Sequence, residues 1–159
     1  MTDNPNAVPE MGPPALPIDP ELYQETLVRL QMQAICVDEV SCWCHREGFS
    51  AGDTELRLDT VAEDSQSESE YNMFVTYGLE GIRDEESILK IKAKYRLIFS
   101  TTTPVPAGFF EVFQELNLRL TTFPYFRELV SAMTGRMQLP VLTLPLNIIP
   151  PIAEERKEP

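Results

Sequence analysis

The feature that most constrains the fold is an alternating run, "ILKIKAKYRLIFSTTT", which begins at Ile88. Successive side chains of an extended chain point to opposite faces. One face of this run is apolar and carries Leu89, Ile91, Ala93, Tyr95 and Leu97. The other face is basic and carries Lys90, Lys92, Lys94 and Arg96. A strand with two such faces predicts an antiparallel sheet that covers a core on one side and meets water on the other.

Three segments upstream also have strand character. They are "ETLVRLQMQAICVDEVSCWCHRE" (residues 25–47), "TELRLDT" (54–60) and "YNMFVTYGL" (71–79). Polar, turn-forming stretches separate them, which favours hairpin connections between neighbouring strands. The first half of the chain is therefore predicted to form a four-stranded antiparallel sheet.

The second half changes to a helical period. A first helix is predicted from the spacing of Phe109, Val112, Phe113, Leu116 and Leu120, and a second from Phe126, Leu129, Val130, Met133 and Met137. Pro124 suits the first turn of the second helix and Gly135 suits its end. Strands followed by helices predict an α+β fold with a long helix packed on one face of the sheet.

Composition sets the domain organisation. Residues 1–20 contain six of the 14 prolines and are expected to form a flexible leader, followed by one domain over residues 21–150 and a charged tail over residues 151–159. The formal net charge of −12 argues against a nucleic-acid partner. Neither a signal peptide nor a membrane-spanning run is readable, so we expect a cytoplasmic protein with reduced cysteines.

The cluster Cys42–Trp43–Cys44–His45 is the strongest candidate for a metal site or a reactive thiol. On a strand, however, the two cysteines face one way while Trp43 and His45 face the other. Structural zinc sites need a second pair of ligands, and the chain has only one further cysteine, Cys36. We therefore expect packed cysteines, no metal and no cofactor.

No catalytic constellation emerges from the other motifs. The seven glycines form no phosphate-binding loop, and the basic row on the fourth strand is expected to pair with acidic neighbours across the sheet. A docking face for an acidic partner is the alternative interpretation of that row. The sequence predicts a binding protein, not an enzyme.

The chain continues into an apolar segment broken by prolines, "LPVLTLPLNIIPP" (residues 139–151), which we call the strap. Proline excludes a helix or a central strand. In an extended strap Leu142, Leu144 and Leu146 share one face, and Val141, Thr143 and Pro145 share the other. We expect the first face to pack on the domain and the second, with Ile149 beyond it, to line a binding groove.

Motifs in this region resemble the SecB family of export chaperones. Residues Phe123, Pro124, Tyr125, Arg127 and Glu128 match the family's Phe-Pro-Tyr-x-Arg-Glu motif. Leu139, Pro140, Leu142 and Leu144 match its Phe-Pro-x-Leu-x-Leu motif, with leucine in place of phenylalanine. Pro145, Leu146, Asn147 and Ile148 are similar to its Pro-x-Asn-Phe motif, one residue early. The resemblance covers most of residues 23–150.

The resemblance implies an ATP-independent chaperone that holds unfolded polypeptides in apolar grooves and assembles as a dimer of dimers. The client-binding residues would be Val141, Leu142, Leu144, Leu146, Ile148, Ile149 and Trp43. The oligomer interface would contain Tyr125, Phe126, Leu129, Val130 and Met133. Clients would be exported precursors, or one dedicated antitoxin in a toxin–antitoxin system.

The chain also departs from the family. Trp43 stands where the family offers an acid to the export motor SecA, and the basic row replaces a neutral-to-acidic face, so a SecA partnership is not implied directly. Pro150 and Pro151 leave little room for the family's second long helix. The alternative function is a stable oligomeric interaction module without chaperone activity.

Overall fold

The computed structural model of the chain describes residues 17–45, 47 and 53–145. Its elements are α1 (Pro20–Arg29), β1 (Gln31–Cys44), β2 (Glu55–Gln66), β3 (Glu70–Arg83) and β4 (Glu86–Ser100), followed by α2 (Phe109–Phe113), a π-helical turn (Gln114–Leu118) and α3 (Arg119–Arg136). The last three are continuous and form one long helix of 28 residues. Within the described residues, no helix is long and apolar enough to cross a bilayer.

The four strands form a single antiparallel sheet in the order β1-β4-β3-β2. The long helix covers one face of this sheet, as the α+β prediction required. Alternate residues of β3 and β4 are buried beneath it, including Tyr71, Met73, Val75, Tyr77, Leu89, Ile91, Ala93, Tyr95 and Leu97. The period-two pattern of β4 is confirmed, and β1 and β2 are the two edges of the sheet.

The aromatic layer between helix and sheet holds the core together. The Tyr77 ring stacks on Phe126 with centroids 5.1 Å apart, and Phe99 meets Phe113 edge-on at 6.0 Å. Tyr77 also shares a 2.8 Å hydrogen bond with Thr122 Oγ1, and Thr122 donates at 2.7 Å to the Leu118 carbonyl. Burial raises the pKa of Tyr77, so its hydroxyl stays protonated and bonded inside the core at neutral pH.

The prediction of a strand beginning at residue 25 is wrong, because residues 20–29 form a helix. The Asp19 carboxylate caps this helix by accepting from the backbone N–H groups of Glu21 and Leu22, and Pro20 occupies its first turn. The ring of Tyr23 packs against the ring of Phe109, with centroids 5.1 Å apart. The Tyr23 hydroxyl accepts a 2.7 Å hydrogen bond from the Asn117 side-chain amide. Ile18 is also buried, so the last residues of the expected leader belong to the fold.

The prediction of two helices is also wrong. The helix passes through Pro124, which lies inside α3 and not in a first turn. The π-helical turn adds one residue to the helix and thereby joins two apolar stripes that are out of register by one position. Before it Phe109, Val112 and Phe113 face the core, and after it Leu118, Phe126 and Val130 do so. Leu116 and Leu120, whose spacing was part of the predicted first helical stripe, are 56% and 67% exposed.

The end of the helix differs from the prediction as well. Gly135 lies within α3, and the helix ends at Arg136. The left-handed residue that reverses the chain is Gln138, with a φ of 58°. Leu139 N then donates to the Thr134 carbonyl at 3.0 Å, which directs the strap back along the helix.

The uncovered face of the sheet is charged and internally paired. Lys90 lies 3.2 Å from Glu80, Lys94 lies 2.7 Å from Glu63, and Arg96 lies 3.0 Å from Asp38. These pairs confirm the expectation of acidic neighbours on other strands for three of the four residues of the basic row; Lys92 forms no ion pair within the described residues. Exposed pairs of this kind contribute at most about 1 kcal/mol each, so their main effect is to leave this face without excess positive charge.

Candidate functional site

The described part of the strap, residues 139–145, lies extended against α3. Its burial alternates: Val141, Thr143 and Pro145 are exposed, Leu142 is partly buried and Leu144 is 6% exposed. Leu142 and Leu144 pack against the hydrophobic core. The predicted division of the strap into an inner and an outer face is therefore observed for these residues.

Two side chains of α3 hold the strap through its backbone. Thr134 Oγ1 accepts a 3.1 Å hydrogen bond from the Leu142 N–H, while the Thr134 hydroxyl itself donates to the Val130 carbonyl. Arg127 Nε donates to the Leu144 carbonyl. The helix therefore holds the backbone of the strap at Leu142 and Leu144, the same two residues whose side chains point toward the core.

The outer face of the strap presents apolar surface. Val141 is 60% exposed, and its Cγ2 lies only 3.8 Å from the position that a β-carbon on Gly135 would occupy. A β-carbon at this distance would be in ordinary van der Waals contact with Val141, so the strap lies close to the helix at Gly135 while Val141 still faces outward. Of the predicted client-binding residues, Leu146, Ile148 and Ile149 fall outside the described residues.

Leu144 requires a correction to its predicted role. It is almost fully buried in the protein's own core, so its side chain has little surface to offer a client. Leu142, which is partly buried, also packs inward. Both residues position the strap, and Val141 is the exposed aliphatic side chain of its described part, beside the exposed prolines Pro140 and Pro145.

Trp43 lies at an open cavity where the end of β1 approaches the end of the helix. The cavity has a volume of about 450 Å³ and is lined by Cys42, Trp43, Cys44, Arg136, Met137 and Gln138. Trp43 is 51% exposed. Gln138, which begins the turn into the strap, lies at this cavity. Trp43 pairs with Lys90 of β4, however, so its side chain lies on the uncovered face of the sheet, opposite the face that carries the helix and the strap.

The cysteines in this cavity pack as small apolar side chains. Cys42 pairs with Ile91 and Cys44 with Leu89 in the β1–β4 ladder, and both contact the core. Burial raises the pKa of the Cys42 thiol, which lowers its thiolate fraction at neutral pH. In the described part of the chain, no group of three or more His, Cys, Asp or Glu side chains is arranged to hold a metal ion.

The residues predicted for an oligomer interface divide into two groups. Tyr125 is 51% exposed, and Leu129 and Met133 are partly buried at the margin of the core. Phe126 and Val130 have no exposed surface, because they face the protein's own sheet. The prediction is corrected for these two residues, whose contacts are all within the subunit.

The sequence prediction missed a second exposed apolar surface on edge strand β1. Met32, Val37 and Val40 are 45%, 53% and 43% exposed. They pair with Phe99, Tyr95 and Ala93 of β4, which lie on the helix-covered face. The pairing of this strand with β4 has two register shifts, between Met32 and Ala34 and between Val37 and Glu39. Alternation alone does not tell which strand forms an edge, so the sequence carried no direct signal for this surface.

Comparison with solved structures identifies a similar fold. The Mycobacterium tuberculosis Rv1957 SecB-like chaperone, solved with a ChAD peptide from the Rv1956 HigA1 antitoxin, superposes with a TM-score of 0.67 at 18% identity, covering 79% of this chain and 96% of the other. A protein of unknown function from Streptococcus agalactiae matches with a TM-score of 0.42 at 10% identity, covering 73% and 96%. No protein family model and no curated protein matches the sequence. The chain has the fold of a SecB-like chaperone.

Proposed function

We propose that this protein is an ATP-independent chaperone that binds non-native polypeptides and keeps them from aggregating. The observation that carries the proposal is the strap, an extended segment held to the helix by two backbone hydrogen bonds and with an exposed apolar face, on a fold that resembles a SecB-like chaperone. Its mechanism is binding without catalysis or a cofactor. Burial of client side chains stabilises the complex by about 25 cal/mol per Å² of apolar surface, less the cost of ordering the client.

The client surface in this proposal joins the outer face of the strap to the cavity at Trp43. Val141 supplies an exposed apolar side chain, and Met137 lines the cavity between the helix end and β1. Trp43 borders the cavity, and its exposed side chain lies on the other face of the sheet. Leu146, Ile148 and Ile149, which lie outside the described residues, stay sequence-based predictions for client binding. With a net charge of −12, the protein favours basic clients and keeps a loaded complex soluble.

The clients fall into two classes that the fold alone does not separate. The similar mycobacterial protein was solved with a peptide from an antitoxin, which favours a dedicated antitoxin client in a toxin–antitoxin system. Exported precursors are the other class. In both cases we propose that the protein acts in the cytoplasm.

The proposed assembly is a homotetramer built as a dimer of dimers. Leu116, Leu120 and Tyr125 leave exposed apolar surface on the helix, and Met32, Val37 and Val40 do the same on the edge strand. An unpaired edge with apolar side chains tends to be covered by another chain. If the same surfaces form only a permanent assembly and bind no client, the protein is an oligomeric interaction module instead.

Direct contact with SecA is not part of the proposal. The exposed face of the sheet holds three ion pairs formed by Lys90, Lys94 and Arg96, and Trp43 occupies a position where an acid would be expected. A balanced face of this kind offers little electrostatic attraction to a basic docking site.

The test compares two aspartate variants of the strap. Val141→Asp places a charge on the exposed face and should weaken suppression of client aggregation while leaving the melting temperature close to that of wild type. Leu144→Asp places an unpaired charge in the core and should lower the melting temperature first. Light scattering of a chemically denatured client protein and thermal unfolding of each variant give the two measurements.

The results separate the alternatives. If both variants have a lowered melting temperature, and the fraction that remains folded suppresses client aggregation as well as wild type, the strap is only a core element. If wild-type protein suppresses no aggregation but sediments as a stable oligomer, the interaction module replaces the chaperone as the better account.

A further inference from the structure

The strap has a free backbone edge on the side away from the helix. In an extended chain the N–H and C=O groups of one residue point to the same side, and those of the next residue point to the opposite side. The Leu142 N–H and the Leu144 C=O point to the helix, where Thr134 and Arg127 bind them. The backbone groups of Val141 and Thr143 therefore point away from it.

These outward groups have no partner within the described part of the chain. The hydrogen bonds found there include none from the N–H or to the C=O of Val141 or Thr143. Both residues are exposed. An exposed extended segment with unpaired donors and acceptors has the hydrogen-bonding pattern that another extended backbone matches.

Prolines bound this edge at both ends. Pro140 precedes Val141, and Pro145 is the next residue whose backbone would point outward. Because Pro145 has no N–H, the edge cannot continue past Thr143 as a regular ladder. The free edge is thus one short unit, long enough for a pair of residues to exchange hydrogen bonds and too short to pair extensively with other copies of the strap.

We propose that clients bind by adding a short strand to the strap, with backbone hydrogen bonds to Thr143 and Val141. This inference rests on the proposed chaperone function and specifies how the client is held. The occupant is an extended, unfolded polypeptide whose alternate side chains are apolar. Those side chains would contact the exposed face of Val141, and basic residues beside them would suit the acidic protein.

Backbone pairing gives such a site broad specificity. Every polypeptide carries the same N–H and C=O groups, so hydrogen bonds to them select an extended conformation and not a sequence. Folded clients have already used these groups in their own helices and sheets. The site would therefore distinguish unfolded from folded chains through the backbone and use Val141 to select apolar segments.

Thr143→Pro tests the proposal on the chaperone side. It removes the outward N–H of an exposed residue, and proline suits the extended backbone. The matched control is Thr143→Val, which keeps the N–H and the branched side chain. The probe is a fluorescent synthetic peptide in which leucine and serine alternate between terminal lysines. We expect Thr143→Pro to weaken its binding about tenfold, equivalent to about 1.4 kcal/mol, and Thr143→Val to bind like wild type.

A second arm tests the same bonds on the client side. Methyl groups on the central backbone nitrogens of the probe keep all its side chains and remove its donors. Wild-type protein should bind the methylated peptide about tenfold more weakly, within the range for losing one or two hydrogen bonds. Combining Thr143→Pro with the methylated peptide should cost less than the sum of the two changes, since both remove the same pairing.

The outcomes distinguish this proposal from the chaperone function itself. If Thr143→Pro and the methylated peptide both bind like their controls while Val141→Asp loses binding, the client is held by side chains alone and strand addition is wrong. If wild-type protein binds neither the peptide nor any denatured protein, both proposals fail. If Thr143→Pro lowers the melting temperature, its binding result cannot be used, and the test of strand addition is the binding of the methylated probe to wild-type protein. Equal affinity of wild-type protein for the methylated and the unmethylated probe would overturn the proposal.

Discussion

Deletion of Glu115 should leave the fold intact, although it removes a residue from the middle of the long helix. Glu115 is exposed and lies in the π-helical turn, which contains one residue more than a regular α-helix needs. Removing that residue lets the turn become α-helical without rotating the flanking segments. Phe109 and Phe113 stay in register on one side and Phe126 and Val130 on the other. We expect the free energy of unfolding to change by no more than about 1 kcal/mol.

Deletion of Tyr125 should be far more harmful. The π-helical turn can absorb the lost residue only if every residue between it and position 125 rotates by about 100°. Leu118, Thr122 and Phe123 lie in that interval and are buried. Moving the two large apolar side chains into water costs about 3–6 kcal/mol, a large part of the roughly 5–15 kcal/mol typical of a domain. The Tyr77–Thr122 hydrogen bond is lost as well.

Urea unfolding followed by circular dichroism measures both deletions. Glu115→Ala and Tyr125→Ala are the matched controls, because they remove the same side chains and keep the register; Tyr125 is 51% exposed, so its substitution alone should cost little. Equal destabilisation by the two deletions would refute the assignment of the π-helical turn as the point where the two apolar stripes meet.

Three further predictions concern single positions. Gly135→Ala should stabilise the protein by about 0.5–1 kcal/mol, because the residue is helical and the new methyl would meet Val141 at an ordinary contact distance; a lower melting temperature would contradict the described path of the strap. Gly108→Ala should destabilise it, since Gly108 has a φ of 83° and a β-carbon there would lie 2.2 Å from the Pro17 carbonyl oxygen; unchanged thermal unfolding would show that the segment before α1 does not pack there. Burial raises the pKa of Cys42, so we expect iodoacetamide to alkylate it slowly at neutral pH. Mass spectrometry should show the reaction accelerating at a higher pH than for a free thiol, and rapid labelling at neutral pH would contradict the packing of Cys42.

The sheet could be predicted because its pattern is local. In β4 apolar and basic residues alternate without interruption, so one strand defines both the core face and the wet face. The division of the strap into Leu142 and Leu144 inside and Val141 and Thr143 outside followed from the same period. Its confirmation shows that alternation identifies faces even outside a sheet.

Other features depend on contacts that no local pattern reveals. Only Leu30 separates α1 from β1, so the apolar and β-branched residues of the two elements read as one continuous run in the sequence. Asp19 and Pro20 were the signal that a helix begins there. The π-helical turn was hidden because each half of the helix has a regular stripe of its own. Comparing the two stripes across the junction would have revealed the one-residue offset.

The exposed surfaces were the least predictable part of the candidate site. Val37 and Val40 have the composition of core residues, and they are exposed because β1 lies at the edge of the sheet, beyond the cover of the helix. The sequence predicts Phe126 and Val130 at an interface because the helix is apolar on more than one side. Only the position of the sheet beneath the helix decides which side faces inward.

The most direct test of chaperone function is light scattering from a chemically denatured protein diluted into buffer with the purified protein and no nucleotide. Scattering should fall as the protein is added, reach its minimum near a fixed molar ratio, and remain unchanged when ATP is supplied. Val141→Asp should require more protein for the same effect. Undiminished scattering at a severalfold molar excess of correctly folded protein would contradict the account.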